Sequence, residues 1–296
     1  MLKKPGEGEN TIGDSMNREL HRIVKTMRVL QGCDISCYDE PFLSASLEKR
    51  MAATSLATVT DYCDYLSGNA DEAEQFFRSL NITYSEFFRN PLTFAVLEQQ
   101  VLPRLIEEKQ DSCTAELRVW SAGCAAGQES YSVAILLDEL LVARKSSLSF
   151  RIFATDISGD SLVTAGRGVY DTVAVQNVRL KHLQSCFETG HGSYTVSRRL
   201  IDRIEFSSYD LLDERSTSPP GSIYGDFDLV FCSNLLFYYK PEVRQFIINK
   251  VCHSLSYGGY MVTGEAERGI VDTINLEEIF PMSAVYRKIK ECQVMV

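Results

Sequence analysis

Three short stretches place polar or flexible residues where chemistry can be done. The first runs from Val119 through Gly123 and Gly127 to Glu129, a β-like run that ends in a glycine-bearing turn and enters a helical pattern. Such a turn lets backbone approach a nucleotide-like ligand closely. Its glycines are spaced Gly-x-x-x-Gly, without the third glycine of the dinucleotide pattern, so a purely structural turn accounts for it equally well. The second, Phe150 to Asp156, ends in an acid that can accept hydrogen bonds from both hydroxyls of a ribose, or can cap the helix that follows. The third, Phe227 to Tyr239, is a buried strand in its first half and turns polar at Ser233 and Asn234, where a strand leaves its sheet. Ligands of open α/β sheets bind at that edge; a helix cap at Asn234 is the plain alternative. Together the three favour a nucleotide-like ligand, with NAD and S-adenosylmethionine both open. Hydride transfer is disfavoured, since neither a suitable histidine nor a Tyr-x-x-x-Lys pair stands out.

These residues need an open parallel sheet to bring them together. Strands are expected at Leu117–Ser121, Phe150–Thr155, Ile204–Ser207, Asp228–Cys232, Gly259–Thr263 and Ala284–Lys288. Helices are expected near 128–143, 159–166, 241–255 and 270–278, and a small β-hairpin is inserted near Gly190–Val196. The texture before residue 80 is different. A polar, glycine-rich stretch (1–14) reads as a mobile tail, and a helix is expected after Asp14 or Ser15, either of which can cap it. From Met16 to Leu30, Leu20, Ile23, Val24, Met27 and Leu30 recur at helical spacing, with Arg18, Arg22, Lys25 and Arg28 on the other side. Further helical patterns at 43–53, 57–67 and 70–79 make residues 15–80 a helical domain, followed by an α/β domain over 81–296.

Composition narrows the class. With 296 residues and 45% hydrophobic side chains there is room for two domains. The longest apolar stretch, Tyr131 to Ala143, is broken by Asp138 and Glu139, so no membrane insertion is expected. After Met1-Leu-Lys-Lys comes Pro5 to Glu9 with no apolar run, which argues against a secretory leader and for the cytoplasm. Nine cysteines, an odd number spread through apparent core segments, read as reduced thiols. No metal is expected, because the four histidines lie outside ligand spacing to Cys33 and Cys37. A net charge of −10 argues against nucleic-acid binding.

The string Ile82 to Phe94, with its Glu86-Phe-Phe-Arg89 core, followed by Val119 to Ser132, resembles the signature of the CheR-type chemotaxis receptor methyltransferases. Ala154–Ile157, Gly168–Tyr170, Phe206–Leu212 and Phe231–Asn234 match in the same order, so the resemblance covers about residues 40–289. It implies a Rossmann-like class I methyltransferase domain behind an all-helical N-terminal domain, with a small inserted β-subdomain at about 187–206. It implies S-adenosylmethionine as cofactor, S-adenosylhomocysteine as product, and glutamate side chains on the cytoplasmic helical domain of chemotaxis receptors as substrate. Carried over residue by residue, Thr83, Ser85 and Arg89 reach over the cofactor. Gly123 belongs to its turn, Glu129 holds the amino-acid end and Asp156 the ribose. Asp210, Leu211, Asn234 and Leu235 line the adenine and methionine portions. Arg89 and Tyr238 are the implied catalytic residues.

The chain departs from the family pattern at several points. Ser233 stands for the arginine of Cys-Arg-Asn, Gln128 for the first acid of Gly-x-x-Gly-Glu-Glu, Ala126 and Thr83 for threonine and asparagine, Asp210 for asparagine, and Ala266 for serine in a late Gly-x-Ser-Glu. These departures motivate a second reading, a cofactor-binding regulatory module with weak or no turnover. The basic stripe Arg18, Arg22, Lys25 and Arg28 is expected to dock the glutamate-rich receptor helices.

Overall fold

A computed structural model describes residues 9–110, 116–190, 192–222, 225–271 and 275–289, with side chains from residue 19 onward. The chain divides into two compact units, one of residues up to Ile82 together with Tyr238–Pro241, the other of Thr83–Phe237 and the chain from Glu242.

The first unit holds α1 (Glu9–Gln31), α2 (Glu40–Thr54), α3 (Val59–Ser67) and α4 (Ala70–Leu80). Thr58 and Asn69 cap α3 and α4, each side-chain oxygen accepting from a first-turn amide. Their apolar faces and that of α1 close on one core that includes Ile23, Met27, Leu47, Tyr62, Leu66 and Phe76. Buried within it, Glu72 accepts both guanidinium hydrogen bonds of Arg50, at 2.9 and 2.7 Å, and the Tyr62 hydroxyl at 2.7 Å. Burial raises the pKa of Glu72, but these donors outweigh it and hold the carboxyl below its usual range. α1 begins at Glu9, ahead of the start expected after Asp14 or Ser15, and no proline lies between Glu9 and Ser15 to prevent it; the earlier part of the expected tail lies outside the described residues. On the expected basic stripe, Arg22 pairs with Asp64 and Arg28 with Asp34, and Lys25 is exposed. The side chain of Arg18 lies outside the described residues.

In the second unit α5 (Pro91–Val96), a π turn and α6 (Leu102–Gln110) precede β1 (Glu116–Ala122), α7 (Gln128–Ala143), β2 (Ser149–Asp156) and α8 (Gly159–Arg167). Then come β3 (Val169–Asp171), α9 (Leu180–Cys186), β4 (Phe187–Gly190), β5 (Ser193–Val196), α10 (Arg198–Ile201) and β6 (Ile204–Ser208). The chain closes with β7 (Phe227–Phe231), α11 (Pro241–Ser254), β8 (Leu255–Val262), β9 (Leu276–Glu278) and β10 (Val285–Lys288). The main sheet has the order β6-β2-β1-β7-β8-β10-β9, parallel throughout except that β10 runs antiparallel to both neighbours. Its direction of winding reverses between β1 and β7, which opens a crevice at the carboxyl ends of those two strands. Each strand that leads there is covered on both faces, so the sequences are near-continuous apolar runs, as in Phe227–Phe231, where every residue is buried.

Two expectations are corrected. The helix placed over 270–278 is in its described part a 3-10 turn ending at Ile270 and the edge strand β9, whose residues Leu276–Glu278 pair with Lys288–Tyr286. A partner arriving from later in the chain decides that conformation, and three residues carry no period to reveal it. The inserted hairpin β4–β5 gains a third strand, β3, and the segment from Ile204 belongs to the main sheet instead of the insertion.

The helical unit depends on its buried acid. Glu72→Ala would leave the Arg50 guanidinium without its two acceptors and is expected to destabilise this unit by roughly 2–4 kcal/mol. Urea unfolding followed by circular dichroism checks this; an unchanged midpoint would show the network to be energetically idle.

Candidate functional site

The crevice between β1 and β7 is built from backbone turns held by carboxylates. After β1 the chain passes through Gly123 (φ +76°), Ala125 (φ +47°) and Gly127 (φ +89°) before entering α7. A Cβ on Gly123 would lie 2.9 Å from Leu235 Cδ2, and one on Gly127 2.9 Å from Ala165 Cβ, so glycine is required at both by space as well as by φ. Thr155 O accepts the amides of Gly123 and Cys124 at 2.8 and 2.9 Å, and the Tyr170 hydroxyl donates to Ala126 O at 2.6 Å. The turn is therefore fastened on both sides.

Asp156 stands at the end of β2, and the helix after it is capped by Ser158 instead, whose hydroxyl accepts the Ser161 amide at 3.3 Å. Asp156 Oδ1 accepts the Ser158 amide and its Oδ2 the Ala125 amide, each at 2.8 Å. Two carboxylate oxygens offer about four acceptor positions, so capacity remains for ribose hydroxyls. Burial pushes its pKa up, against the lowering effect of those amides. The carbonyl of Asp156 accepts from Tyr209 N at 3.1 Å, which brings the loop after β6, with Asp210 and Leu211, to the same edge. Asp210 Oδ1 itself accepts the Leu212 amide at 2.8 Å, and Leu211 is buried.

Glu129 stands in the first turn of α7, and Ser121 Oγ donates to it at 2.8 Å. Loss of solvent around it pushes its carboxyl up to about 7, and the charge of Glu267 adds to that rise. The Ser121 and Ser233 hydroxyls and the charge of Arg89 act in the opposite direction. Asn234 adopts φ +60° where the chain leaves β7, and its amide and that of Leu236 donate to Glu267 at 2.7 and 2.6 Å. Arg89 rides on a strained segment: Phe88 (φ +52°) and Asn90 (φ +62°) flank it, and the Phe88 amide donates to Ser132 Oγ at 3.0 Å. A bulky residue in the left-handed region is held there only by its surroundings. The Arg89 guanidinium lies over the Tyr84 ring at 5.3 Å; Thr83 is exposed and Ser85 half-buried on the same segment.

Within the second unit the structure thus brings Gly123, Glu129, Asp156, Asp210, Leu211, Asn234 and Leu235 to the carboxyl edge of β1, β2, β6 and β7, with the Arg89 charge acting on Glu129. Tyr238 belongs to the first unit, its ring edge-on to Phe42 at 4.7 Å. Sequence reasoning missed Ser121, which fixes Glu129, and Glu267, noticing only Ala266 in that stretch. The signal for Glu267 was the Gly264-x-x-Glu267 spacing of a cap after a buried strand; the Glu267 amide donates to Gly264 O at 2.9 Å.

An acid raised by burial to about 7, two further buried carboxylates and a glycine turn can together accommodate a ligand that carries a cation and hydroxyls. The family description "CheR methyltransferase, SAM binding domain" matches residues 83–283, and "CheR methyltransferase, all-alpha domain" matches residues 18–80. A chemotaxis protein methyltransferase of Borreliella burgdorferi is 30% identical over 91% of this chain and 94% of its own length. Chemotaxis protein methyltransferase 1 of Pseudomonas aeruginosa is 37% identical over 61% of this chain and 64% of its own. An uncharacterized 104.1 kDa protein of Rhodobacter capsulatus is 29% identical over 84% of this chain, which spans only 25% of that relative.

The state of Glu129 makes ligand affinity depend on pH. Below about 7 the free protein holds Glu129 protonated, and pairing it with an ammonium group requires that proton to leave. Affinity for S-adenosylhomocysteine is expected to fall as pH drops through neutrality, by up to about tenfold per unit, and to level off above it. Isothermal titration at several pH values measures this; a Glu129→Gln variant that keeps the wild-type slope would remove Glu129 as its source.

Proposed function

Since the chain belongs to the CheR methyltransferase family, we propose that it methylates glutamate side chains of chemotaxis receptors, forming methyl esters, in the cytoplasm. The observation that carries this reading is the meeting of Asp156, Glu129 and Asn234 around the Gly123–Gly127 turn at the switch point of the sheet. That set fits S-adenosylmethionine: carboxylates for its ammonium and ribose, and a turn free of side chains at Gly123. When bound, it supplies an electrophilic methyl group on a cationic sulfur.

The acceptor carboxylate is already a nucleophile when ionised, so the protein has no proton to remove. In the exchange the new C–O bond takes an oxygen lone pair, and the electrons of the breaking C–S bond return to sulfur. The work left to the chain is positioning and charge placement. Arg89, held over Tyr84 by the strained Phe88–Asn90 backbone, can meet a carboxylate with two parallel hydrogen bonds. Tyr238 is assigned a catalytic part on the family pattern alone. A module that binds cofactor without turnover, the reading that Ser233 and Gln128 motivate, is not favoured: the relatives aligned along nearly the whole chain are named as methyltransferases.

Transfer of labelled methyl from S-adenosylmethionine to a receptor cytoplasmic fragment should give a product that releases methanol in alkali. Arg89→Ala should lower kcat by about a hundredfold while leaving cofactor binding within a few fold. Label that survives alkali would exclude a methyl ester, and full activity in the variant would exclude Arg89.

Receptor docking is assigned to the exposed face of α1, though the pairs Arg22–Asp64 and Arg28–Asp34 reduce the positive charge it offers. The double variant Arg22→Glu with Lys25→Glu should slow receptor methylation at low salt and leave affinity for S-adenosylhomocysteine intact. Equal rates in variant and wild type would mark the stripe as a solvated face.

A further inference from the structure

Glu267 lies on the 3-10 turn Glu265–Ile270 that follows β8 and is 0% exposed. Its Oε2 accepts the amides of Asn234 and Gly264, each at 2.7 Å, and its Oε1 accepts the amide of Leu236 at 2.6 Å. Phe237 adds a further backbone donor. An ionised acceptor taking several amide hydrogens is a strong and directional arrangement. Most of these donors come from one short segment, the exit of β7, which carries Asn234 at φ +60°. Gly264 completes the fit from the other side, because a Cβ there would lie 2.3 Å from Asn234 Nδ2. One carboxylate and one glycine thus set the course of residues 234–237. Leu235, in the middle of this segment, reaches to where a Cβ on Gly123 would stand.

We propose that Glu267 is the positioning residue of the cofactor crevice: through the amides of Asn234, Leu236 and Gly264 it holds the exit of β7, and with it Leu235, against the Gly123 turn. The inference rests on the reading that the crevice beside Gly123 holds S-adenosylmethionine. It assigns to one side chain both the shape of the β7 exit and the electrostatics of the acid that meets the ammonium group. After desolvation and the two serine hydroxyls, Glu267 is the charge that lifts Glu129, and Arg89 is the charge that opposes it. The other titratable neighbours are the thiols of Cys124 and Cys232, both pushed up by burial and so uncharged near neutrality. The Tyr286 phenol, raised chiefly by burial, also feels the charge of Glu267.

The test uses the whole chain and S-adenosylhomocysteine as probe. Glu267→Gln keeps the volume but removes the charge and sets an amide donor against backbone donors. Isothermal titration between about pH 5.5 and 8.5 is expected to show roughly tenfold weaker binding, with the midpoint of its pH dependence lower than in wild type by about half a unit. KM for S-adenosylmethionine should rise more than kcat falls. Glu267→Asp, which retains the charge, should restore the midpoint even where affinity stays reduced. A merely structural role would lower the melting temperature and leave the midpoint where it was, and that result, or unchanged affinity in a folded Glu267→Gln, would overturn the proposal. Should that variant not fold, Gly264→Ala probes the same contact at φ −71°, a conformation alanine adopts freely. Its added methyl must displace Asn234 and weaken binding, and unchanged affinity would overturn the proposal equally. A wild-type protein that binds no S-adenosylhomocysteine at any pH would instead fail at the cofactor reading itself.

Discussion

Backbone amides that leave the ends of buried parallel strands have no partner in the sheet, and water cannot reach them; something must accept their hydrogens. In this protein carboxylates do so. Asp156 closes the turn after β1 and the exit of β2, and Glu267 closes the exits of β7 and β8. Because the sheet reverses its winding between β1 and β7, the two acids stand on either side of the one crevice that the topology opens. The proposed cofactor site is the space left between two solutions of the same hydrogen-bonding problem.

That solution has an electrostatic consequence. Asp156, Glu129 and Glu267 all have carboxyls raised by burial, so each contributes more to stability in its protonated form. For Glu129 the contribution is complete below the unfolded value near 4.5 and is lost as pH rises through about 7. At neutral pH the free fold therefore carries an unfavourable accumulation of negative charge, tempered by Arg89. A ligand that brings an ammonium group and a sulfonium offsets it, and strain around Arg89 at Phe88 and Asn90 belongs to the same economy of local cost at a binding site.

The helical unit shows the opposite use of a buried acid. Glu72 is matched by Arg50 and Tyr62, its carboxyl lies below the usual range, and it serves cohesion. What separates Glu72 from Glu129 is the partner: a guanidinium fork in one case, serine hydroxyls in the other. The same contrast tempers the basic stripe on α1, where Asp64 and Asp34 meet two of the arginines that a helical projection leaves facing outward.

Much of the architecture was legible because local pattern and tertiary role agree. Covered parallel strands demand continuous apolar runs, so Leu117–Ser121, Phe150–Thr155 and Asp228–Cys232 announced β1, β2 and β7 to within a residue or two. The turn at Gly123 and Gly127 and the acids Glu129 and Asp156 were legible for the same reason, since each sits where a strand or helix begins or ends. What stayed hidden depends on partners far along the chain. Edge strand β9 takes its conformation from β10, and β3 takes its own from β5 across the insertion. Tyr238 reads as the end of a catalytic motif, and the fold sets its ring against Phe42. Glu267 ends the late Gly-x-Ser-Glu stretch, but only the packed sheet surrounds it with the amides of Asn234, Leu236 and Gly264 and so gives it a role. Sequence by itself determined which residues lie at strand ends, because burial and backbone geometry are written locally. Only the tertiary structure decided which of them carry charge and against what, because a pKa is set by the groups that folding gathers around it.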